Sequence, residues 1–284
     1  MHIQHPELKP ETVQFRGFQA NLARIALEKD TLVVLPTGMG KTVVALLTMA
    51  DAFKQGATRI LLLAPTKPLV EQHAAFFGET FANRSVHCMT GHLPPAKREE
   101  LYREPGLICA TPQVISNDTI AERVDLASFD WIVFDECHRA VGEYPYTFLG
   151  RNARKANPKI RTMGLTASPG HDRRKIDEVR EHLGLLHVEI RTTHDPDVAP
   201  YVQETKVEWE TMPLPANMAR VSQRLQAALA TRVRSLKSQG ALKAGSSRPS
   251  RTALLETGRK LQAMVKGRDP GSDVYAALSQ QAQA

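Results

Sequence analysis

Cysteine is scarce: Cys88, Cys109 and Cys137 are the three in 284 residues. That number argues against a disulfide-stapled secreted scaffold. All three lie in or beside apolar, strand-like segments, so buried reduced thiols and a reducing compartment are expected. The ten His residues show no metal-ligand spacing with cysteine, and no zinc site is expected. No apolar run approaches the roughly 20 residues that cross a bilayer. The N-terminus, Met1-His2-Ile3-Gln4-His5-Pro6, lacks the apolar core of a signal peptide. A cytoplasmic protein with no membrane partner is the expectation. There is no internal repeat and no nuclease signature.

The remainder is an ordinary globular composition, 42% hydrophobic and 24% charged, long enough for one large or two small domains. The net charge of +7 is unevenly placed. Residues 216–284 carry 12 Lys and Arg against 3 Asp and Glu, whereas residues 1–215 carry 25 against 27. A basic segment binds polyanions by releasing their counterions, so nucleic acid is the leading partner.

Apolar runs alternate with helical patterns up to about residue 190. Strands are expected at Thr31–Leu35, Arg59–Ala64, Ser85–Met89, Leu107–Ala110, Trp131–Phe134, Arg161–Leu165 and Leu186–Ile190. Helices are expected notably at Gly40–Lys54, Pro68–Phe81, Pro112–Glu122 and Asp172–Leu183. This is the pattern of an α/β fold with a mostly parallel sheet flanked by helices, whose ligands gather at the C-terminal strand ends. Pro196, Pro200, Pro213 and Pro215 then punctuate an extended connection. Beyond it Met218, Val221, Leu225, Leu229, Val233 and Leu236 recur at helical spacing, with Arg220, Arg224, Arg234 and Lys237 between them. Gln239–Arg251 reads as a loop, and Leu254, Leu255, Leu261, Met264 and Val265 as a second helix; both apolar stripes are expected to be packing faces.

Chemistry concentrates at the strand ends. Thr31–Leu35 runs into Pro36-Thr37-Gly38-Met39-Gly40-Lys41-Thr42 and then a helical pattern. Such a turn aims backbone N–H groups at one point, at a helix N-terminus that favours negative charge. Polyphosphate is the natural occupant, with Lys41 reaching the β/γ-phosphates and the Thr42 hydroxyl holding Mg²⁺. The strict phosphate-loop pattern has Gly where this chain has Leu35. Trp131–Phe134 ends in Asp135-Glu136-Cys137-His138. A nucleotide–Mg²⁺ site needs a carboxylate on a neighbouring strand tip, which is Asp135, while Glu136 can orient the attacking water.

Further segments follow in order. Arg16 and Gln19 precede the phosphate loop by one helix, and the Gln19 amide can pair with adenine. Thr66-Lys67, Thr90-Gly91 and Thr111-Pro112-Gln113 end three other strand patterns with groups typical of phosphate-backbone contacts. Thr166-Ala167-Ser168 closes the last strong one.

In this order the segments resemble a superfamily 2 DExH/D-box helicase: Gln19 in the Q motif, Pro36–Thr42 as motif I, Pro65–Lys67 as Ia, Thr90-Gly91 as Ib and Thr111-Pro112-Gln113 as Ic. Asp135-Glu136-Cys137-His138 is then motif II and Thr166-Ala167-Ser168 motif III. The wording of motifs II and III is similar to the branch of archaeal Hef helicase–nucleases, Fanconi-anaemia-M-type DNA translocases, Dicer helicase domains and innate RNA sensors. Tyr201-Val202, Val207-Glu208-Trp209-Glu210 and Leu214-Pro215, followed by basic helices, look most like the Hef type.

The resemblance implies a RecA-like ATP-binding lobe over residues 1–200, a connection over 201–215 and a basic helical insert over 216–284. It implies ATP and Mg²⁺ as cofactors, with Lys41, Asp135, Glu136 and His138 in catalysis. Arg16, Gln19 and Thr37–Thr42 are expected on the nucleotide, with Thr42 and Asp135 on the metal. Thr66, Lys67, Thr90, Gly91, Thr111, Pro112, Gln113, Arg220 and Arg224 are expected on nucleic acid, and Thr166 and Ser168 relay nucleotide state. DNA, branched or forked and in repair, is favoured over RNA. The alternatives are an RNA-directed ATPase and a nucleotide-gated binding module without useful catalysis. Such helicases use a second lobe with an arginine finger, and no Gln-x-x-Gly-Arg-x-x-Arg-like stretch follows Pro215. A truncated or split chain, completed by a second chain, is therefore expected.

Overall fold

Seven apolar runs become seven strands of one sheet: β1 (Thr31–Val34), β2 (Arg59–Leu63), β3 (Val86–Met89), β4 (Gly106–Ala110), β5 (Trp131–Phe134), β6 (Arg161–Thr166) and β7 (His187–Ile190). The computed structural model describes residues 2–168, 173–202, 208–238, 242 and 250–267. The strand order is β3-β4-β2-β5-β6-β1-β7, and every pairing is parallel. Parallel strands covered on both faces need nearly continuous apolar sequence, which is why these runs stand out.

Between them lie α1 (Gly17–Glu28), α2 (Lys41–Lys54), α3 (Lys67–Thr80), α4 (Pro95–Leu101), α5 (Pro112–Ile120), α6 (Pro145–Ala156) and α7 (Arg173–Leu183). Proline at the first or second position starts α3, α4, α5 and α6, where its missing N–H costs nothing. Side chains alternate across each strand. Val33, Ile60, Leu62 and Val133 join one core with Phe18, Val44, Val70 and Phe77. Leu32, Leu61, Leu63, Ile132 and Phe134 join the other with Ile115, Tyr146, Leu149 and Val179.

The N-terminal edge of the sheet is closed by ion pairs. Asp30 accepts from Arg154 at 2.8 Å, Arg161 at 3.0 Å and the Thr162 N–H at 2.9 Å. The C-terminal edge is left for chemistry.

Cysteine burial departs from expectation at one position. Cys109 and Cys137 are buried, but Cys88 is exposed because it stands on β3, the edge strand.

The chain divides into two compact units, Met1–Glu204 and Thr205–Ala284. The second holds α8 (Ala216–Ser238) and α9 (Arg251–Gly267). Leu236 and Leu261 form its small core, with Leu242 and Leu254 against them. The apolar stripe of α8 packs only at its end: Val233 and Leu236 are buried, whereas Met218, Val221 and Leu225 are exposed. The loop expected at Gln239–Arg251 lies outside the described residues apart from Leu242, Ser250 and Arg251, as do the side chains of Met264 and Val265.

Candidate nucleotide and nucleic-acid site

The strand order sorts the sequence motifs along one edge. Thr90-Gly91 follows β3, Thr111–Gln113 follows β4 and Thr66-Lys67 follows β2. Asp135–His138 follows β5, Thr166 ends β6 and Pro36–Thr42 follows β1. The expected nucleic-acid groups thus occupy one half of the edge and the expected nucleotide groups the other.

The loop after β1 is shaped by two glycines. Gly38 (φ +82°) and Gly40 (φ +84°) are left-handed, a conformation that costs an L-residue roughly 1–2 kcal/mol. A Cβ on Gly40 would lie 2.3 Å from Gln19 Nε2, whereas one on Gly38 would meet nothing within 4 Å. Lys41 and Thr42 open α2, so their N–H groups have no partner inside the helix. The Lys41 ammonium lies 3.5 Å from the Leu35 carbonyl. Leu35, where the strict pattern has Gly, is buried, and its N–H donates to Thr166 O at 3.0 Å, lengthening the ladder of β1. The Lys41 and Thr42 amides at the helix start, with the Lys41 ammonium beside them, suit a polyphosphate.

Asp135 is set by its backbone as well as its side chain. Its N–H donates to Leu63 O at 2.8 Å. Tyr146 Oη on α6 lies 2.7 Å from Asp135 O and 3.0 Å from Leu63 O, joining the tips of β5 and β2. Burial, then the Asp135 charge, pushes the Tyr146 hydroxyl well above its ordinary pKa, so it remains a donor. Asp135 Oδ2 lies 2.9 Å from His73 Nε2 on α3. Glu136 takes a left-handed conformation (φ +49°), the kind of local strain that clusters at functional turns. Burial, reinforced by the Asp135 and Glu136 charges, raises the Cys137 thiol well above its usual range and keeps it protonated.

His138 bridges to β6. Its Nδ1 lies 3.0 Å from Thr166 Oγ1 and 3.3 Å from Glu136 Oε2. Thr166 Oγ1 in turn accepts from the Ser168 N–H at 3.2 Å. Among the described residues no group of three His, Cys, Asp or Glu could hold a metal by itself. One carboxylate and one hydroxyl fit Mg²⁺, which takes most of its remaining oxygens from phosphate and water.

At the start of α1, Gln19 is 2% exposed and its amide donates to Met39 O at 2.9 Å. The Arg16 guanidinium lies 5.3 Å from the ring centroid of Tyr201, which also packs 5.5 Å from Phe18.

On the other half of the edge, Thr66 and Lys67 are exposed, and the Thr66 hydroxyl does not cap its own helix. Gly91 and Gln113 are exposed and Thr111 half-buried, whereas Thr90 and Pro112 are buried. Arg220 and Arg224, one helical turn apart on α8, are exposed in the second unit. Sequence reasoning misses His73 and Tyr146. A polar residue on the Val70, His73, Phe77 stripe of α3 is the available signal for His73; Tyr146 offers none.

A parallel sheet in this strand order, flanked by helices, is the fold of a RecA-like lobe. The family model described as DEAD/DEAH box helicase matches residues 16–176. The chain belongs to that family. It is 39% identical over 92% of its length to a protein of Methanocaldococcus jannaschii provisionally named an ATP-dependent RNA helicase, of which it spans 33%. It is 33% identical over 78% of its length to the ATP-dependent DNA helicase fml1 of Schizosaccharomyces pombe, spanning 27% of that protein. The crystal structure of the Pyrococcus furiosus Hef helicase domain superposes with a TM-score of 0.72 at 36% identity, covering 98% of this chain and 59% of that one. The chain therefore spans a third or less of these two curated relatives. Among the described residues no helix is long and apolar enough to cross a membrane.

Proposed function

We propose that this chain is the ATP-binding lobe of a nucleic-acid-dependent ATPase acting on branched or forked DNA. Residues 1–200 form the lobe, 201–215 a connection and 216–284 a basic helical grip. The observation that carries the reading is the pair of half-edges: Pro36–Thr42, the carboxylates and the relay hydroxyls after β1, β5 and β6, with the exposed Thr66 and Lys67 after β2 and the exposed Gly91 and Gln113 after β3 and β4.

Each residue has a task. The loop amides from Thr37 to Thr42 and the Lys41 ammonium bind phosphate oxygens. Thr42 and Asp135 hold Mg²⁺, which when bound neutralises charge on the transferring phosphate. Glu136 orients water. Arg16 and Gln19 take the adenine, Gln19 exchanging its bond to Met39 O for the base. His138, Thr166 and Ser168 link nucleotide occupancy to the half-edge of Thr66, Lys67, Thr90, Gly91, Thr111, Pro112 and Gln113. A supplied arginine is worth about 10³–10⁵ in rate in related phosphoryl transfers, so residues 1–284 by themselves are expected to bind ATP and turn it over slowly, and a second lobe added in trans should raise the rate.

Calorimetric titration with Mg²⁺ and a non-hydrolysable ATP analogue tests the reading. Lys41→Ala should weaken binding by about tenfold or more, the scale of one charged hydrogen bond of 1.5–3 kcal/mol. No heat with the natural chain, or no effect of the substitution, would overturn it. The RNA-helicase name of the Methanocaldococcus relative supports a second reading, an RNA-directed ATPase. Competition between forked DNA and double-stranded RNA at matched salt separates the two, because salt sets both affinities.

A further inference from the structure

One buried imidazole beside the nucleotide groups has no part in the chemistry above. His73 is 7% exposed on the packing stripe of α3, between Val70 and Phe77. Its ring stacks on Phe77 with centroids 5.9 Å apart and planes inclined by 17°. Its Nε2 lies 2.9 Å from Oδ2 of Asp135, itself 6% exposed. An ionised carboxylate offers acceptor sites alone, so Nε2 carries the proton and donates. An aliphatic residue could fill the same space, but it would leave a buried carboxylate oxygen without its donor, at a cost of roughly 1–3 kcal/mol.

We infer that His73 is a positioning residue for the metal site: it fixes the Asp135 carboxylate by holding Oδ2 and leaves Oδ1 to the metal. Tyr146 and Leu63 hold the backbone of the same residue, so Asp135 is anchored at both ends. Phe77 fixes the plane of the imidazole, and the helix fixes its direction. This is the relation by which hydrogen bonds in the shell behind a ligating carboxylate orient it, and losing such a bond typically lowers metal affinity 10–100-fold. The inference rests on Asp135 being the magnesium carboxylate of the proposed ATPase.

The test uses the full chain with three substitutions: His73→Ala, His73→Leu, which fills the volume without a donor, and His73→Gln, whose amide can donate to the same oxygen. Nucleotide affinity is measured by calorimetry with and without Mg²⁺, and Mn²⁺ affinity of the nucleotide-loaded chain by electron paramagnetic resonance. The natural chain should bind nucleotide more tightly with metal than without. His73→Leu and His73→Ala should lower Mn²⁺ affinity by about 10–100-fold while metal-free nucleotide affinity stays unchanged, and His73→Gln should recover much of the loss. Should His73→Ala melt early, the comparison of Leu with Gln carries the test. Natural Mn²⁺ affinity in His73→Leu, or equal damage in Gln and Leu, overturns the inference alone. A natural chain with no metal-linked gain overturns the reading of Asp135 and the inference with it.

Discussion

His138 Nδ1 and Thr166 Oγ1 lie 3.0 Å apart, joining the turn after β5 to the end of β6. With Glu136 on one side and Ser168 on the other, they form a polar path from the Glu136 carboxylate to the end of the neighbouring strand β6. Coupling free energies between sites typically correspond to factors of about 5–150, and the factor is the same in both directions. Thr166→Val should therefore leave nucleotide affinity nearly unchanged and bring the nucleotide-dependent change in DNA affinity close to unity. Fluorescence anisotropy of labelled forked DNA, with and without a non-hydrolysable analogue, measures the factor.

Gly40 should resist substitution for two separable reasons. Alanine there meets Gln19 Nε2 and must also adopt a left-handed backbone, which costs roughly 1–2 kcal/mol. Gly40→Ala should lower stability and weaken nucleotide binding. Adding Gln19→Ala removes the clash but not the backbone cost, so a double-mutant cycle in urea denaturation should show a favourable coupling and incomplete recovery.

Acid should loosen the first unit through Asp118. Burial alone pushes this carboxyl up, but hydrogen bonds from Arg98 and Tyr102, the Arg98 charge and a bond from Arg123 outweigh it and hold the group below its ordinary value. Arg98 donates at 2.6 and 2.7 Å and Tyr102 at 2.7 Å. In Glu7 the hydrogen bond from Arg84 acts in the same direction and outweighs burial. A depressed folded pKa means the unfolded chain binds more protons in acid. The stabilisation is thus complete above the unfolded carboxyl pKa of about 4 and is lost as pH falls through the lower folded value. Urea midpoints should be flat on this account near neutrality and fall below about pH 4. Asp118→Asn should cost about 3–5 kcal/mol, because it leaves the largely buried Arg98 charge without its partner.

The basic helix gives a salt-dependence test. If Arg220 and Arg224 each meet a phosphate, replacing both with Ala should weaken DNA binding and reduce the slope of log affinity against log salt by about 0.9 for each phosphate no longer neutralised. An unchanged slope would return them to an ordinary solvated face.

The inner strands were legible because strands buried on both faces are nearly continuously apolar, whereas the part-exposed edge strands β3 and β7, with His87, Cys88, His187 and Glu189, were legible from their place in the alternation with helices. The helices α4 and α6 were not. Arg98 is the one buried residue of α4, and α6 packs through Tyr146, Leu149, Gly150 and Ala153, a stripe diluted by small residues. The motifs from Pro36–Thr42 to Thr166–Ser168 could be read because each follows directly on its strand, whereas Arg16 and Gln19 lie at the start of α1, ahead of β1. The pairings behind the motifs could not, since His73 meets Asp135 across 62 residues of sequence and that depends on α3, packed against β3 and β4, bringing its imidazole to the tip of β5. Exposure of Cys88 follows from strand order, which local pattern does not reveal. Likewise the periodicity of α8 marks an apolar face but not whether Met218, Val221 and Leu225 are covered.

The position of β1 has a consequence for assembly. Both of its sheet neighbours, β6 and β7, come from residues 161–190. During synthesis the strand that leads into Pro36–Thr42 has no ladder to join until some 130 residues later in the chain (Thr31 to Arg161). Such long-range closure is slow, so a nascent chain halted short of β6 would display an intact loop sequence with nothing to hold it in shape.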